Sequence, residues 1–365
     1  MRRPPERIER LPEQYFTALL ARVAAAAARE GEPLVDLGRG NPEVGPPGHV
    51  VQALAESAAR PDVHGYAPFA GLQELKEAIV ARYARLYGVE LDPAREVAVL
   101  PGTKTGLMEF ALCAVERGGP IVLPDPGYPD YFSAVALAGA RSVPFSGFDA
   151  DADALYLNFP SNPTALAAPA GVFADAVAWA ERCGGLILHD FAYGDLVFEG
   201  RTPVSFLASD GAREVGIELF SMSKSYGMAG WRLGFALGNA ELVRRIELLQ
   251  EHAFAGIFRP LQEAGIAALT GPQDSVGARR AAYEGRRNRV LSVLGGLEAQ
   301  SEGTFFVWFR LPDGMTVERL LVEHRVALAP GEGFGARGAG WARLSLAVRD
   351  ETLDIGLSRL GEAFG

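Results

Sequence analysis

The chain has 365 residues, of which 48% are hydrophobic and 22% charged, and its formal net charge is −10 at pH 7. This composition is that of an ordinary globular protein, and the length allows a large hydrophobic core. Binding to nucleic-acid phosphates needs a clustered positive field, so the acidic balance argues against a nucleic-acid partner. The densest basic segment, residues 279–289, has helical spacing and is expected to form a solvated helix face.

The N-terminal residues predict neither a secretory signal nor a membrane span. No apolar stretch follows the first arginines, and the apolar segment at 19–28 is short and interrupted by Arg22. Cys113 and Cys183 lie in apolar helical contexts, which favours buried packing residues in a reducing compartment. The five histidines show no ligand spacing, so no metal site is expected. We expect a cytoplasmic protein.

From about residue 96 the chain alternates short apolar segments with helical ones. Strands of this length joined by helices predict an α/β fold with a mostly parallel, helix-covered sheet. Ligands bind such sheets at the carboxyl ends of the strands. Five strand-end segments rich in polar residues and glycine are therefore expected to meet at one site: "PGTKTG", "PDPGYP", "NFPSNPT", "HDFAY" and "SMSKS".

Beyond residue 270 the pattern changes to a long helical segment at 275–300, followed by further strands and helices. This pattern predicts a smaller α/β domain, which the N-terminal residues are expected to join. The predicted division is an N-terminal arm and part of the small domain at 1–45, a large ligand-binding domain at 46–270, and a C-terminal small domain at 271–365.

Lysine is rare in this chain. It occurs only at Lys76, Lys104 and Lys224, although lysine and arginine together number 35. A primary amine can lose its proton when desolvated and attack a carbonyl, whereas a guanidinium stays charged. Lys76 lies in an amphipathic helical segment and is expected to face solvent. Lys104 and Lys224 lie in the strand-end segments.

The segment around Lys224 combines an amine with groups that bind anions. Ser221 and Ser223 offer hydroxyls, and Arg232 offers a planar fork of donors. Such a set suits a ligand that carries both an aldehyde and a phosphate.

Two other strand ends fit the same ligand. The backbone N–H groups of Thr103 and Lys104 begin a predicted helix and can hold a phosphate there. Asp190 directly follows an apolar strand, and a carboxylate in such a place needs a cationic partner. A pyridinium nitrogen would be one such partner.

Four motifs in this order, "NFPSNPTA", "HDFAY", "SMSKSYGMAGWRLG" and "GWARLSLA", give the chain a specific resemblance. It resembles the class I and II aminotransferases of fold type I, from about "LVDLGRGNPEVGPP" to the C-terminus, and especially the bacterial methionine-salvage and diaminopimelate-type subgroup. The resemblance implies the cofactor pyridoxal 5′-phosphate. It also implies a large domain that binds the cofactor and a smaller α/β domain formed by the N- and C-terminal segments.

The resemblance implies a role for each matching residue. Lys224 would form the Schiff base with the cofactor and carry the proton, Asp190 would pair with the pyridine nitrogen, and Tyr128 would stack on the ring. Asn162 and Tyr193 would hydrogen-bond the cofactor's phenolic oxygen. The phosphate ligands would be Thr103, Lys104, Ser221, Ser223 and Arg232.

Further matches concern the substrate and a partner subunit. Arg343 would bind the substrate α-carboxylate, and Gly40, Asn162 and Tyr15 would contribute to the same pocket. Tyr66 resembles the family's tyrosine that reaches the phosphate of the neighbouring subunit, which implies a homodimer with shared active sites.

From the residues alone, simpler roles stay open. Lys104 could be a solvated lysine, Ser221 a backbone cap, Tyr66 a packed tyrosine and Arg343 a surface arginine. Two departures from the family pattern stand out. Ala165 replaces a common glycine, and the connection at 146–154 is short.

The resemblance favours amino-group transfer between an L-amino acid and a 2-oxo acid, while β-elimination by a related lyase remains an alternative. A regulator with a fused DNA-binding domain is disfavoured because few residues precede the first strand. An apolar, thioether or aromatic amino acid is the expected substrate, with glutamate or glutamine in the other half-reaction. Arg259 leaves open an N-succinyl-diaminopimelate substrate, and LL-diaminopimelate or aspartate-type transfer are further alternatives.

Overall fold

The structure is a computed structural model that describes residues 3–365. The α-helices are α1 (Glu6–Glu9), α2 (Tyr15–Ala27), α3 (Gly48–Ala58), α4 (Gln73–Tyr87), α5 (Thr103–Ala114), α6 (Asp130–Ala138), α7 (Val172–Cys183), α8 (Ala212–Val215), α9 (Met222–Ser225), α10 (Ala240–Ala253), α11 (Arg259–Thr270), α12 (Asp274–Leu294), α13 (Val317–Glu323) and α14 (Asp350–Phe364). The strands are β1 (Val35–Asp36), β2 (Val97–Leu100), β3 (Pro120–Leu123), β4 (Arg141–Pro144), β5 (Ala154–Asn158), β6 (Leu186–Asp190), β7 (Gly216–Ser221), β8 (Gly234–Gly238), β9 (Ala299–Gln300), β10 (Phe306–Arg310), β11 (Val326–Ala327), β12 (Ala329–Pro330) and β13 (Trp341–Ser345).

The largest sheet has seven strands in the order β2-β8-β7-β6-β5-β3-β4. Strand β8 runs antiparallel to both of its neighbours, and the other neighbouring strands are parallel. The residues of β2 alternate between two apolar clusters: Val97 and Val99 pack into one, Ala98 and Leu100 into the other. Helices therefore cover both faces of this sheet, as expected for a mostly parallel α/β arrangement.

A second sheet of four antiparallel strands has the order β12-β13-β10-β9 and its own apolar cluster, to which α12 and α14 contribute. The N-terminal segment joins this region, because β1 pairs in parallel with β11. The backbone N–H of Ser345 also donates to the carbonyl of Leu37. The domain limits of 1–45, 46–270 and 271–365 remain a prediction.

Lys76 does not face solvent, so that expectation is wrong. Its side chain is buried in α4, and its amine lies 2.6 Å from a carboxylate oxygen of Glu247 in α10. The carboxylate of Glu247 neutralises the amine, which allows an ion pair in a position where an isolated amine would be costly.

Three of the five arginines of α12 do not lie on a solvated face either. Arg279, Arg286 and Arg287 are buried. Arg279 donates to the carbonyls of Val44 and Gly45, while Arg286 and Arg287 pair with carboxylates elsewhere in the chain. These arginines bind the long helix to its surroundings and are not available to an external partner.

Other details refine the predictions from sequence. Cys113 and Cys183 are unpaired, but they are half-buried and not fully buried. The helix expected at 275–300 ends at Leu294, and a short strand follows it. Within residues 3–365, no helix is both long and apolar enough to cross a membrane.

The structure shows where the two departures from the family pattern, Ala165 and the short connection at 146–154, lie in the fold. Ala165 is buried and has φ +56°, a backbone region that glycine adopts more readily, which accounts for the glycine usual at this position. The short connection at 146–154 joins β4 to β5 at one edge of the large sheet, and none of its residues lines the main cavity.

Candidate active site

A cavity of about 580 Å³ lies where the strands β2, β3, β5, β6 and β7 reach their carboxyl ends. Each of the five strand-end segments expected to converge contributes to its walls. Most of the residues predicted to bind the cofactor or substrate line it: Gly40, Thr103, Lys104, Tyr128, Asn162, Asp190, Tyr193, Ser221, Ser223, Lys224, Arg232 and Arg343. Tyr15 and Tyr66 are not among the described residues that line it.

Lys224 lies in α9, the short helix that follows β7. The hydroxyl of Ser221 caps this helix by accepting a hydrogen bond from the backbone N–H of Ser223 at 3.2 Å. The Lys224 amine donates to the carbonyl of Gly40 at 3.3 Å. Burial, together with the charges of Arg343 and Arg232, lowers the pKa of Lys224 to about 8. A substantial fraction of the amine is therefore neutral near physiological pH and can attack a carbonyl.

Asp190 is the last residue of β6 and is buried. One carboxylate oxygen accepts a 2.9 Å hydrogen bond from the Tyr131 hydroxyl, and the other accepts one from the Ala192 backbone at 3.2 Å. Burial raises the pKa of Asp190, although both hydrogen bonds act in the opposite direction. Because the donors found on this carboxylate are neutral, its negative charge is still available to a cationic ligand.

Tyr131 is a site residue that the sequence interpretation missed. It lies in the first turn of α6, three residues after Tyr128, and its buried hydroxyl reaches Asp190. The spacing was a usable signal, since residues three apart at a helix start can point to the same side.

Arg343 lies in the middle of β13 and is buried, so the alternative of a surface arginine is wrong. Its guanidinium donates to the side-chain oxygen of Asn162 at 2.7 Å and to the carbonyl of Gly38 at 3.2 Å. The carbon of the guanidinium is 3.9 Å from the centre of the Phe306 ring and 4.7 Å from that of Phe334.

Burial lowers the pKa of Arg343 to about 10, which still leaves it charged at neutral pH. Its hydrogen-bond acceptors are an amide and a carbonyl, both neutral, and its Nε has no partner among the described residues. A buried guanidinium with neutral acceptors can bind a ligand carboxylate through two parallel hydrogen bonds.

A second anionic ligand group, a phosphate, fits the start of α5. Thr103 is the first residue of that helix, and the preceding residue, Gly102, has φ +87°. A Cβ atom at Gly102 would lie 2.2 Å from a guanidinium nitrogen of Arg232, so only glycine lets Arg232 pack against this turn. The N–H groups of the helix start and the nearby guanidinium together form an anion site.

Lys104 presents its amine elsewhere. The amine is 2.9 Å from a carboxylate oxygen of Asp130, and about half of the side chain is exposed. The solvated-lysine alternative is therefore partly correct. Its backbone N–H remains at the start of α5, but the side chain is held by Asp130.

Tyr128 and Tyr193 supply aromatic walls. The ring centres of Tyr128 and Phe16 are 5.9 Å apart. Burial and the carboxylate of Asp130 raise the pKa of the Tyr128 hydroxyl. The ring of Tyr193 packs edge-on against Phe306, at 5.9 Å between centres, and burial raises the pKa of its hydroxyl.

The two remaining candidates lie outside the cavity. Tyr66 is 88% exposed on the surface, so the packed-tyrosine alternative is wrong. Tyr15 donates its hydroxyl to the carbonyl of Pro330 at 2.9 Å, and its ring packs against Phe16. Phe16, and not Tyr15, lines the cavity from α2, and substrate binding by Tyr15 stays a prediction.

Comparisons with known proteins agree with this geometry. The family model for aminotransferase class I and II matches residues 32–360. The chain belongs to the class I and II aminotransferases. It is 41% identical to the L-glutamine–4-(methylsulfanyl)-2-oxobutanoate aminotransferase of Bacillus subtilis strain 168, with 97% of this chain and 95% of the relative covered. It is 36% identical to the LL-diaminopimelate aminotransferase of Moorella thermoacetica, with 98% of each chain covered.

Among solved structures of this family, the substrate-bound BacF from Bacillus subtilis matches with a TM-score of 0.93 and 34% identity, covering 100% of this chain and 99% of BacF. The fold is thus that of the type I aminotransferases. The protein is a pyridoxal-phosphate-dependent aminotransferase, which moves an amino group between an amino acid and a 2-oxo acid.

The aminotransferase cavity contains groups that match each part of this cofactor. Asp190 offers a buried carboxylate to a ring nitrogen, Lys224 offers an amine of lowered pKa to an aldehyde, and the start of α5 offers an anion site to a phosphate. When bound, pyridoxal phosphate supplies a ring that withdraws electrons from the substrate Cα.

Proposed function

We propose that this aminotransferase acts on L-amino acids with apolar, thioether or aromatic side chains, and that glutamine or glutamate serves in the other half-reaction. The observation that carries the proposal is the apolar part of the cavity wall, formed by Phe16, Leu19, Leu20 and Leu107. Burying the polar end of a substrate against such a wall without a partner would cost about 1–3 kcal/mol. The name of the Bacillus subtilis relative, which includes a thioether 2-oxo acid, supports the same choice.

The position of Arg259 also favours an apolar substrate. Its guanidinium is 2.8 Å from a carboxylate oxygen of Glu263, one turn further along α11, and it is outside the cavity lining. In the cavity of its own chain, a paired arginine outside the lining is poorly placed to receive the distal carboxylate of an N-succinyl substrate. LL-diaminopimelate transfer remains the second candidate, because the Moorella relative carries that name.

The proposed catalytic roles follow from the contacts in the cavity. Lys224 takes the proton from the substrate Cα, for which an amine with a pKa of about 8 is well suited at neutral to mildly alkaline pH. Arg343 holds the substrate α-carboxylate, and Asn162 orients the guanidinium through its 2.7 Å hydrogen bond. Asp190 keeps its negative charge towards the ring nitrogen, and the Tyr131 hydroxyl fixes the carboxylate in place.

The remaining residues would hold the cofactor. Tyr128 would stack on the ring, and Asn162 and Tyr193 would bond its phenolic oxygen. We assign Lys104 a backbone contribution only, since its amine is engaged by Asp130. The other phosphate ligands would be Thr103, Ser221, Ser223 and Arg232.

We also propose a homodimer with shared active sites. An 88% exposed tyrosine at position 66 is unusual for a lone chain, and Phe69 and Phe258 are exposed as well. Tyr66 would reach the phosphate in the partner's site. We further propose an enzyme of amino-acid biosynthesis that is cytoplasmic, a location supported by the two unpaired cysteines.

We propose the domain division at residues 45 and 270 as well. It is supported by the separate four-stranded sheet, whose strands all lie within residues 299–345.

The substrate proposal can be tested with a panel of half-reactions. The purified enzyme, loaded with cofactor, is mixed with single amino donors, and the absorbance of the lysine-bound cofactor is followed. Methionine and phenylalanine should react faster than aspartate, LL-diaminopimelate or N-succinyl-diaminopimelate, and Lys224→Ala should react with none. Faster turnover of N-succinyl-diaminopimelate than of methionine would overturn the proposal, and release of ammonia would indicate a lyase.

A further inference from the structure

Arg39 is a cavity residue that has no role in the proposed reaction. The segment "LGRGNP" places it between two glycines, and its side chain lines the cavity with 60% of its surface exposed. Its guanidinium comes no closer than 3.9 Å to the carboxylate of Asp36. The Asp36 carboxylate also accepts a 2.9 Å hydrogen bond from the backbone N–H of Gly38. At 3.9 Å, Asp36 restrains the Arg39 side chain only loosely.

The backbone around Arg39 joins the two groups that handle the substrate. The carbonyl of Gly38 accepts a hydrogen bond from Arg343 at 3.2 Å, and the carbonyl of Gly40 accepts one from Lys224 at 3.3 Å. A substrate whose α-carboxylate meets Arg343 and whose Cα is within reach of Lys224 therefore lies along residues 38–40. Arg39 is the middle residue of this segment and also lines the cavity, so its side chain is in a position to reach the side chain of such a substrate.

The other cations that line the cavity already have partners or tasks. Lys104 pairs with Asp130, Arg232 packs against the start of α5, and Arg343 is bound to Asn162. Arg232 is exposed too, but it donates to the carbonyl of Ala229 at 2.9 Å and is assigned to the phosphate. Among the lining cations that the structure describes, Arg39 is the one that is exposed, has no side-chain hydrogen bond and has no assigned ligand.

An aminotransferase binds two different substrates in turn in one cavity. The apolar wall suits the substrate with an apolar side chain but offers nothing to a terminal carboxylate or amide. We propose that Arg39 is the specificity residue for the second substrate: its guanidinium binds the distal carboxylate or amide of a glutamate- or glutamine-like side chain. When the apolar substrate is bound, Arg39 extends into solvent, which its exposure and weak pairing permit. The inference rests on the proposed pair of substrates.

Two unreactive acids of equal length isolate this contact. Glutarate and pentanoate share one carboxylate and differ in that glutarate has a second carboxylate where pentanoate has a methyl group. Their dissociation constants for the cofactor-loaded enzyme are measured by calorimetry on the wild type and on Arg39→Gln. The preference for glutarate over pentanoate should fall about tenfold in the variant, as expected for one lost hydrogen-bonded charge contact. An unchanged preference would overturn the inference.

Two further measurements use the same enzyme. The ratio of kcat/KM for glutamate to that for methionine should fall about tenfold in Arg39→Gln, and an equal fall for both substrates would contradict the inference. In the wild type, glutarate binding should weaken with added salt more steeply than pentanoate binding. Equal salt dependence would count against a cation at the distal end.

Arg244→Gln is the matched control, because the Arg244 side chain is similarly exposed, at 63%, and pairs with a carboxylate, that of Glu241, but lies outside the lining. It should leave the glutarate preference unchanged, and a loss of preference in this variant alone would contradict the role of Arg39. A wild type that transfers amino groups from neither methionine nor phenylalanine would disprove the proposed function. The binding ratio of the two acids would still report on Arg39 in that case.

Discussion

The guanidinium of Arg343 and the side-chain oxygen of Asn162 are joined by a 2.7 Å hydrogen bond in the buried part of the cavity. The two residues are 181 positions apart in the sequence, one on β13 of the four-stranded sheet and the other after β5 of the large sheet. The contact therefore couples the two sheets at the point where a substrate carboxylate would bind. It also sets the direction of a guanidinium that is otherwise surrounded by aromatic rings.

Removing this contact should weaken substrate binding. In Asn162→Ala the guanidinium of Arg343 loses a charge-assisted hydrogen bond, worth about 1.5–3 kcal/mol, and its orientation is less defined. We expect kcat/KM for amino donors to fall about 10- to 100-fold. Steady-state kinetics with methionine measures the change, and the dissociation constant of pentanoate gives an independent value. Wild-type values for both would contradict the proposed role of Asn162.

The lowered pKa of Lys224 predicts the pH dependence of covalent attachment. A protonated amine does not attack an aldehyde, so the reactive fraction rises as pH increases through the pKa of about 8 and is nearly complete above it. An unperturbed lysine would continue to gain reactivity to beyond pH 10.

The rate at which cofactor-free enzyme combines with pyridoxal, the analogue without phosphate, should show this profile between pH 6 and 10. Lys224→Ala serves as the control and should lose the step near pH 8. A wild-type rate that is still rising between pH 9 and 10 would show that the amine is not desolvated.

The hydroxyl of Tyr131 should strengthen cofactor retention through Asp190. Tyr131→Phe removes the 2.9 Å hydrogen bond and raises the pKa of Asp190 further, since the donor stabilises the ionised carboxylate. We expect the dissociation constant of pyridoxal phosphate to rise about 10- to 100-fold, because a hydrogen bond to a charged group contributes about 1.5–3 kcal/mol. Equilibrium dialysis measures it.

Tyr156→Phe is the matched control for Tyr131→Phe. It also removes a buried hydroxyl, but that hydroxyl donates to the neutral carbonyl of Leu107 at 2.7 Å. Equal cofactor loss in both variants would mean that Tyr131 acts through general packing and not through Asp190.

Glu109 on α5 predicts a pH-dependent stability that is unrelated to the reaction. The residue is 2% exposed, its carboxylate accepts a 3.1 Å hydrogen bond from Gln250, and burial raises its pKa to about 7. The folded chain therefore holds this proton at pH values where the unfolded chain has released it. Stability should fall as pH rises from about 4.5 to 7, because ionisation is easier in the unfolded chain.

Glu109→Gln keeps the shape and removes the ionisation. At pH 8 it should stabilise the protein by about 1–3 kcal/mol relative to the wild type, and near pH 4 the difference should vanish. Thermal unfolding midpoints of the cofactor-free protein at the two pH values measure this. A variant that is less stable than the wild type at pH 8 would contradict the prediction.

The sequence predicted the cavity well, since its main residues occur at strand ends. Thr103, Asn162 and Lys224 each follow a short apolar strand and Asp190 ends one, and parallel strands bring their carboxyl ends to one edge. Local pattern is sufficient for such residues because the strand that carries each one is itself visible in the sequence.

The errors concern contacts between distant elements. Lys76 and three arginines of α12 have the helical spacing of solvated residues, but they are buried and bound to carboxylates and carbonyls of other elements. Tyr15 and Phe16 are adjacent in sequence, and only the packing of α2 shows that Phe16 is the one that lines the cavity. Periodicity predicts which residues share a helix face, but not what that face meets.

The central claim is that Lys224 alone among three lysines carries the cofactor. Reducing the purified, cofactor-loaded enzyme with borohydride fixes the cofactor to the amine that holds it, and peptide mass spectrometry then locates the modified residue. Lys76 and Lys104 are internal controls, because both amines are paired with carboxylates. The modification should occur at Lys224 and be absent from the other two lysines. A cofactor fixed at Lys104 or Lys76, or no fixed cofactor in an enzyme that transfers amino groups, would contradict the claim.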